Sequence, residues 1–432
     1  MKWFVGLSVL LLCIPICLCA QISWAKYTID PSFDFADAVF AIDVDGDTDM
    51  DILSSSYNLD QVTWYENDGD ESFTKRIIDT DCDGAYSVFA IDVDDDTDID
   101  VLAVAHNLNS VLWYENDGSE NFTEHVIDNA FTGAISVLAL DVDGDTDIDV
   151  VASAYYINTI AWYENDGSEN FTQHIIVNNF QVPWGIYAID LDSDTDIDVL
   201  GASYYGDEIA WWKNDGDENF TKQTIVSNYG AARSVYAVDV DGDTDIDVLG
   251  TAFADSTISW FENIDNIIFN EHVIDGALNG ALDVFATDFD GDNDIDVVGT
   301  EYFDNNVLWW ENDGDENFTK YVVDNAFNGA NDVLAIDVDG DGDIDVVSSA
   351  QSANEVAWWA SDLAGIEGGE TETAEGLQYG SVLFSGSLHL PEGKRCKVFN
   401  VTGREVNKNY LAPGVYFIEI DGKVMQKIIK IK

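Results

Sequence analysis

The sequence predicts an all-β fold: a seven-bladed propeller of four-stranded blades, closed by the N-terminal strand, with a small C-terminal β-sandwich-like domain. Three observations predict it. An acidic nonapeptide recurs seven times at a spacing of 49 residues, with no insertion. Each repeat holds four short strand-like segments and no helical periodicity, and a period in this range marks a propeller, solenoid or array. The seventh repeat lacks a fourth strand, and an orphan segment, Ser23–Asp30, lies 49 residues before the fourth-strand segment Ser72–Asp79.

Residues 1–20 read as a signal peptide: Lys2 supplies the positive start, Phe4 to Leu18 is nearly all apolar, and small residues end it. An uncleaved anchor is the alternative, but the apolar run is short of the ~20 residues a spanning helix needs. Three of the five cysteines lie in this segment, and Cys82 and Cys396 stand far apart. A disulfide framework is therefore excluded.

Residues 21–360 form the repeat region. Its first strands read VFAI, VFAI, VLAL, IYAI, VYAV, VFAT and VLAI. Ala41, Ala90, Ala139, Ala188, Ala237, Ala286 and Ala335 share one place in them, where a small side chain suits strands that converge on an axis. The second strands run from ILSSS to VVSSA. The third carry Trp64, Trp113, Trp162, Trp211, Trp260, Trp309 and Trp358, read as packing between blades. Asn-Asp-Gly, a hairpin signal, follows in five of six cases. Ser23–Asp30, placed in the last blade, closes the ring and leaves no open sheet edge.

The nonapeptides hold Asp at places 1, 3, 5, 7 and 9. They are Asp43, Asp45, Asp47, Asp49 and Asp51; Asp92, Asp94, Asp96, Asp98 and Asp100; Asp141, Asp143, Asp145, Asp147 and Asp149; and Asp190, Asp192, Asp194, Asp196 and Asp198. The last three blades have Asp239, Asp241, Asp243, Asp245 and Asp247; Asp288, Asp290, Asp292, Asp294 and Asp296; and Asp337, Asp339, Asp341, Asp343 and Asp345. The net charge is −67, and residues 21–380 carry eighty acids against seven Lys and Arg. Such self-repulsion opposes a compact state unless cations neutralise it. Nucleic acid is excluded as a partner, since binding it needs a basic face. Oxygen-only donors on a flexible loop favour Ca²⁺, up to seven ions here. An EF-hand is excluded: its twelfth place needs a bidentate acid, and here it holds Ser54, Ala103, Ala152, Gly201, Gly250, Gly299 or Ser348.

The strand–acidic loop–strand unit, followed by Gly-Ala-Ser at 201–203 or Gly-Thr-Ala at 250–252, resembles the FG-GAP/VCBS repeats of integrin-α-type propellers. The resemblance implies side-chain ligation from places 1, 3, 5 and 9 and a main-chain carbonyl from place 7. In the first loop these are Asp43, Asp45, Asp47, Asp51 and the carbonyl of Asp49. Asp95 and Ser193 replace the usual loop glycine in blades 2 and 4, which implies weaker sites there.

Residues 361–380 are Gly-, Glu- and Thr-rich and read as a linker. Residues 381–432 return to strands and reverse the charge, with nine Lys and Arg against four acids. KVFNVTGREV (397–406) and LAPGVYFIEIDGKVMQKIIKIK (411–432) resemble type IX secretion sorting domains. That implies recognition by an outer-membrane export machine; the family's usual Asn-Pro opening is missing. A generic adhesion module is the alternative.

The acidic loops and the Asn-Asp-Gly turns fall on one face of the predicted ring. On the other face one repeat position reads Tyr57, His106, Tyr155, Tyr204, Phe253, Tyr302 and Gln351, with Asn58, Asn107, Tyr156, Tyr205 and Phe303 beside it. Aromatics with amides suit stacking on sugars or gripping protein loops; simple loop packing is the alternative. His125, His174 and His272 share a place that reads as exposed outer strand, and no catalytic triad is evident. The expectation is a secreted or cell-surface, monomeric binding module for a glycan or protein ligand. The competing class is a glycan-active enzyme, and fold alone does not choose between them.

Overall fold

The computed structural model describes residues 22–69, 72–264, 268–362, 382–384, 396–400, 405–406, 414–420 and 423–430. The expected signal peptide and most of the expected linker lie outside them. The chain divides into two compact units, Met1–Gly365 and Ile366–Lys432.

The first unit is a ring of seven four-stranded antiparallel sheets. Blade 1 shows the pattern: β2 (Ala36–Ile42), β3 (Asp51–Ser56), β4 (Gln61–Asn67) and β5 (Phe73–Asp79) pair in chain order. The second strand is buried at all its residues in every blade, because it is flanked within its own sheet and covered on both faces. The fourth strand is the outer one and alternates exposed with half-buried positions.

The last blade is completed by β1 (Ser23–Asp30), which pairs antiparallel with Glu355–Asp362 from Ser23↔Asp362 to Asp30↔Val356. Tyr27 of β1 stacks on Trp358 at 4.7 Å and 15°. Tyr65 donates its hydroxyl to Asp30 at 3.0 Å, as Tyr114 does to Asp79 and Tyr163 to Asp128. The N-terminal strand thus makes the inter-blade bond that an ordinary fourth strand makes. That third strand ends at Asp362, two residues beyond the expected boundary.

The core is not central. Seven separate apolar clusters each bridge two neighbouring blades, and one joins Phe33, Ala36, Ile52 and Tyr65 to Val347, Val356 and Trp358, so the ring is sealed. The third-strand tryptophans stand in these seams as expected; Trp64 meets Phe122 of the next blade, and Trp113 meets Phe171. Burying one such ring contributes about 1.5–3 kcal/mol.

The first-strand alanines stand where these strands converge: Ala90, Ala139, Ala237 and Ala286 are 2% to 4% exposed and lie in the inter-blade clusters, and Ala41, Ala139, Ala188 and Ala335 also border the space along the ring axis. Side chains alternate along a strand, and the large neighbours of these alanines meet across that space. Phe40 meets Phe89 at 4.8 Å, Tyr187 meets Tyr236 at 4.9 Å, and Tyr236 meets Phe285 at 4.8 Å.

In the second unit the described strands make one mixed five-stranded sheet, with Val382–Phe384 parallel to Lys423–Lys430.

Candidate metal centres and axial cavity

Each acidic loop joins the first and second strands of its blade, and place 9 is the first residue of the second strand. The loop winds around place 1. Asp43 Oδ1 accepts from the N–H groups of Gly46 and Asp47, and its Oδ2 accepts from Thr48. Asp45 accepts from Asp47, and Asp47 from Asp49. These bonds hold the carboxylates on the concave side. One oxygen each of Asp43, Asp45 and Asp51 lies within 4.8 Å of the others, as do those of Asp141, Asp143 and Asp149. In blades 2 and 4 the groups are Asp92, Asp94 and Asp96, and Asp190, Asp192 and Asp194. An oxygen-only, polyanionic donor set of this kind fits a hard divalent cation.

Place 9 carries a second duty. Both oxygens of Asp51 accept backbone N–H groups, from Val44 at 3.0 Å and from Asn67 at 2.7 Å. The same pair of bonds recurs at Asp100, Asp149, Asp198, Asp247, Asp296 and Asp345. Burial pushes six of these carboxyls up to about 7 and Asp296 to about 8, despite those bonds. Asp290 rises to about 6 through burial and then the charge of Asp292. Ionising the site therefore costs free energy unless a cation repays it.

The Asn-Asp-Gly turn supports the loop, a role its sequence did not announce. Asn67 Nδ2 donates to the Met50 carbonyl, and the homologous bond recurs at Asn116, Asn165, Asn214, Asn263 and Asn312. The turn is also longer than a two-residue hairpin: Asp117 N bonds the Asn121 carbonyl. Glycine suits this place, since Gly167 has φ +70° and a Cβ there would lie 2.4 Å from Asp147 Oδ2. The side chain of place 7 thus packs on the turn of its own blade.

Strain collects at place 6. Thr48, Thr97, Thr146, Thr195 and Thr244 have φ between 84° and 88°, a region unfavourable for β-branched residues. Strain of this kind persists where the surroundings over-determine it and clusters at ligand sites. Here it aims the Thr N–H at place 1. Asp95 and Ser193 also hold left-handed backbone, at φ 60°.

The blades are not equivalent. Glu66 lies beside place 3 of blade 1, grouped with Asp45 and with Glu120 of the next blade's turn. In blade 4 the corresponding residue is Lys213, which forms ion pairs with Asp192 and, at 2.9 Å, with Asp194. Burial raises Asp194, but Lys213 outweighs it and holds the carboxyl below its usual value.

The second feature is a cavity of about 550 Å³ along the ring axis, lined by the first strands of all seven blades. Sequence reasoning missed it: Asp37, Tyr86, Trp184 and Arg233 share one repeat position and Asp283 and Asp332 the next, but the residue type changes from blade to blade, so no motif marks them. Asp37, Tyr86, Trp184, Arg233, Asp283 and Asp332 stand at the entry ends of their strands. The Arg233 guanidinium lies 4.2 Å from the centre of a Trp184 ring. Asp283 accepts from Ser234 Oγ at 2.6 Å and from Val333 N at 3.0 Å, and Asp332 accepts from Val39 N at 2.8 Å. Asp37 is 1% exposed; one oxygen accepts from Gln351 at 2.6 Å, and the other has no hydrogen-bond partner among the described residues. Burial pushes Asp37 and Asp332 well up, Asp332 further through the charge of Asp283.

The expected aromatic face surrounds this mouth. Tyr57, His106, Tyr155, Tyr204, Phe253 and Tyr302 are half-buried. Tyr57 reaches Tyr86 at 6.2 Å, Tyr155 reaches Trp184 at 6.0 Å, and Tyr204 reaches it at 5.3 Å. Burial lowers the His106 pKa, and its Nδ1 lies 3.1 Å from the Ala134 carbonyl. The exposed rings are the next residues along: Tyr156, Tyr205 and Phe303 are 55% to 63% exposed. The histidines of the outer strand are not simply solvated. His125, His174 and His272 stack on Trp113, Trp162 and Trp260 and bond Glu115, Glu164 and Glu262.

FG-GAP-like repeats match residues 43–103, 92–152, 141–201, 190–250 and 288–348, together more than half of the chain. No curated protein matches it significantly. Among solved structures, virginiamycin B lyase from Staphylococcus aureus gives a TM-score of 0.58 at 10% identity, covering 79% of this chain and 99% of that one. A streptogramin B lyase gives 0.57 at 12% identity, over 79% and 98%. BBS1N in complex with ARL6DN, soaked with lead, gives 0.57 at 9% identity, over 78% and 96%. At such identities the likeness is one of fold.

Proposed function

Because the chain belongs to the FG-GAP-like repeat family, we propose that it is a secreted or cell-surface calcium-binding propeller that serves as a binding or adhesion module for a glycan or protein ligand. Calcium neutralises the acidic loops and stiffens one face of the ring. The ligand is met on the other face, at the mouth of the axial cavity.

One observation carries the ligand reading. At the mouth, Asp37 keeps a buried carboxyl oxygen unpartnered, next to Arg233 stacked on Trp184 and inside a ring of aromatic side chains. Buried polar atoms are almost always paired, so an orphan on a residue that lines a cavity suits a ligand's hydrogen-bonding group. Aromatic faces with fixed polar groups between them are the chemistry of sugar recognition. Screening the full chain on glycan and extracellular-protein arrays should give a ligand whose affinity falls roughly 30-fold in Trp184→Ala or Arg233→Ala, the size of a hot-spot loss. Undiminished binding by both folded variants would place the ligand elsewhere.

A second reading rests on the Asp283 and Asp332 carboxyls, where a protonated acid beside a second carboxyl supplies the pair that glycan cleavage needs. Cleavage of a polysaccharide that Asp332→Asn abolishes would make the protein a lyase or hydrolase.

Residues 381–432 are proposed to address the protein to a type IX export machine. A chain truncated after Asp362 should fold and accumulate in the periplasm. Its delivery to the cell surface would refute that role.

A further inference from the structure

We propose that the cation of the blade 4 loop is the ammonium group of Lys213, so that this loop takes no calcium and the ring holds ions at the other six. The inference rests on the calcium reading above. Lys213 Nζ touches Asp192 and lies 2.9 Å from Asp194, which are places 3 and 5 of that loop. The same repeat position holds Glu66, Glu115, Glu164, Glu262 and Glu311, with Ala360 in the seventh blade. In blade 1 the side chain there joins the carboxylate group, since Glu66 lies within 4.8 Å of Asp45 and Glu120. A position that adds an anion in five blades thus inserts a cation in one.

A second difference falls on the same loop. Glu120, Glu169, Glu218 and Glu316 share a repeat position in the turn of the following blade. Glu218 lines a small cavity with Asp141 and Asp143 of blade 3, as Glu120 joins Asp45 of blade 1. In the sequence of the blade after blade 4 this repeat position is Ile267. Relative to its neighbours, the blade 4 loop exchanges one glutamate for a lysine and loses another. Ser193 in place of the loop glycine is a third departure. The lysine's three N–H groups supply donors to the two carboxylates, and a divalent ion would have to displace a tethered charge to enter.

Calcium counted by elemental analysis on the dialysed full chain tests this. The wild type should hold six ions, one for each of the seven loops except that of blade 4. Lys213→Glu, which restores the residue of five other blades, should bind one ion more. Lys213→Gln is the companion variant should the glutamate impair folding, and it should gain an ion with weaker affinity. In metal-free buffer Lys213→Gln should melt several degrees below the wild type, because the loop has lost its counter-charge. Seven ions on the wild type would overturn the inference and leave the calcium reading intact. No gain in either folded variant, or an unchanged metal-free melt, would also overturn it. No bound ion at all would remove the calcium reading and this inference together.

Discussion

Stripping calcium from the protein should collapse its thermal stability, and the pH dependence of that stability should change sign. Each ion that binds the folded state alone stabilises it by ~2.7 kcal/mol at a hundredfold excess over its dissociation constant. Six such sites together exceed the ~5–15 kcal/mol that holds a typical domain folded. The metal-free propeller should therefore melt tens of degrees lower.

The sign follows from the place 9 carboxyls, which burial raises to about 7 in six blades and to about 8 at Asp296. Their ordinary value is 3.8. Between these values the metal-free folded state binds more protons than the unfolded chain, so its stability falls as pH rises from about 4 to about 7. Repulsion among eighty acids in residues 21–380 acts in the same direction. With calcium the slope reverses, because the ion takes the deprotonated carboxylate and binds more tightly as pH rises. Melting curves across this range, with calcium and after exhaustive dialysis, measure both slopes. Coincident curves would mean that the loops are acidic turns and nothing more.

Deleting residues 21–30 should be the most damaging small truncation of the ring. It removes β1, uncovers the edge of Glu355–Asp362 and strips Tyr65 and Lys75 of their shared partner Asp30. Lys26 also goes, with its ion pair to Glu355 at 3.1 Å. At a net 0.5–1.5 kcal/mol per backbone hydrogen bond, the loss is on the order of 5 kcal/mol. The exposed edge should promote self-association. A synthetic peptide covering 21–31, added in trans, should restore part of the melting temperature. Equal melting of the deletion and the parent would mean that the ring does not depend on this strand.

The repeat made most of the fold legible. A strict period of 49 residues placed every blade, and the match of Ser23–Asp30 to a fourth strand located the closure. The acidic loops were legible for the same reason: a local spacing of carboxylates survives without knowledge of distant contacts. What the repeat hid was whatever breaks it. Asp37, Trp184 and Arg233 share one repeat position and Asp332 the next, but the residue type there changes from blade to blade, so no motif marks the cavity they line. Lys213 reads as one more surface lysine until its chain is seen among the carboxylates of Asp192 and Asp194.

By itself, then, the sequence determined the blade count, the order of strands, the closing strand and the acidic loops, since each is written in local periodicity and in the turn chemistry beside it. Tertiary structure alone decided that the core is seven seams between blades, that the Asn-Asp-Gly asparagines brace the loops, and that the axis carries a polar mouth. Closing a ring brings one side chain from each blade to a common axis and sets the turn of one blade against the loop of the blade before it. Those meetings join residues far apart in the chain, and no local pattern encodes them.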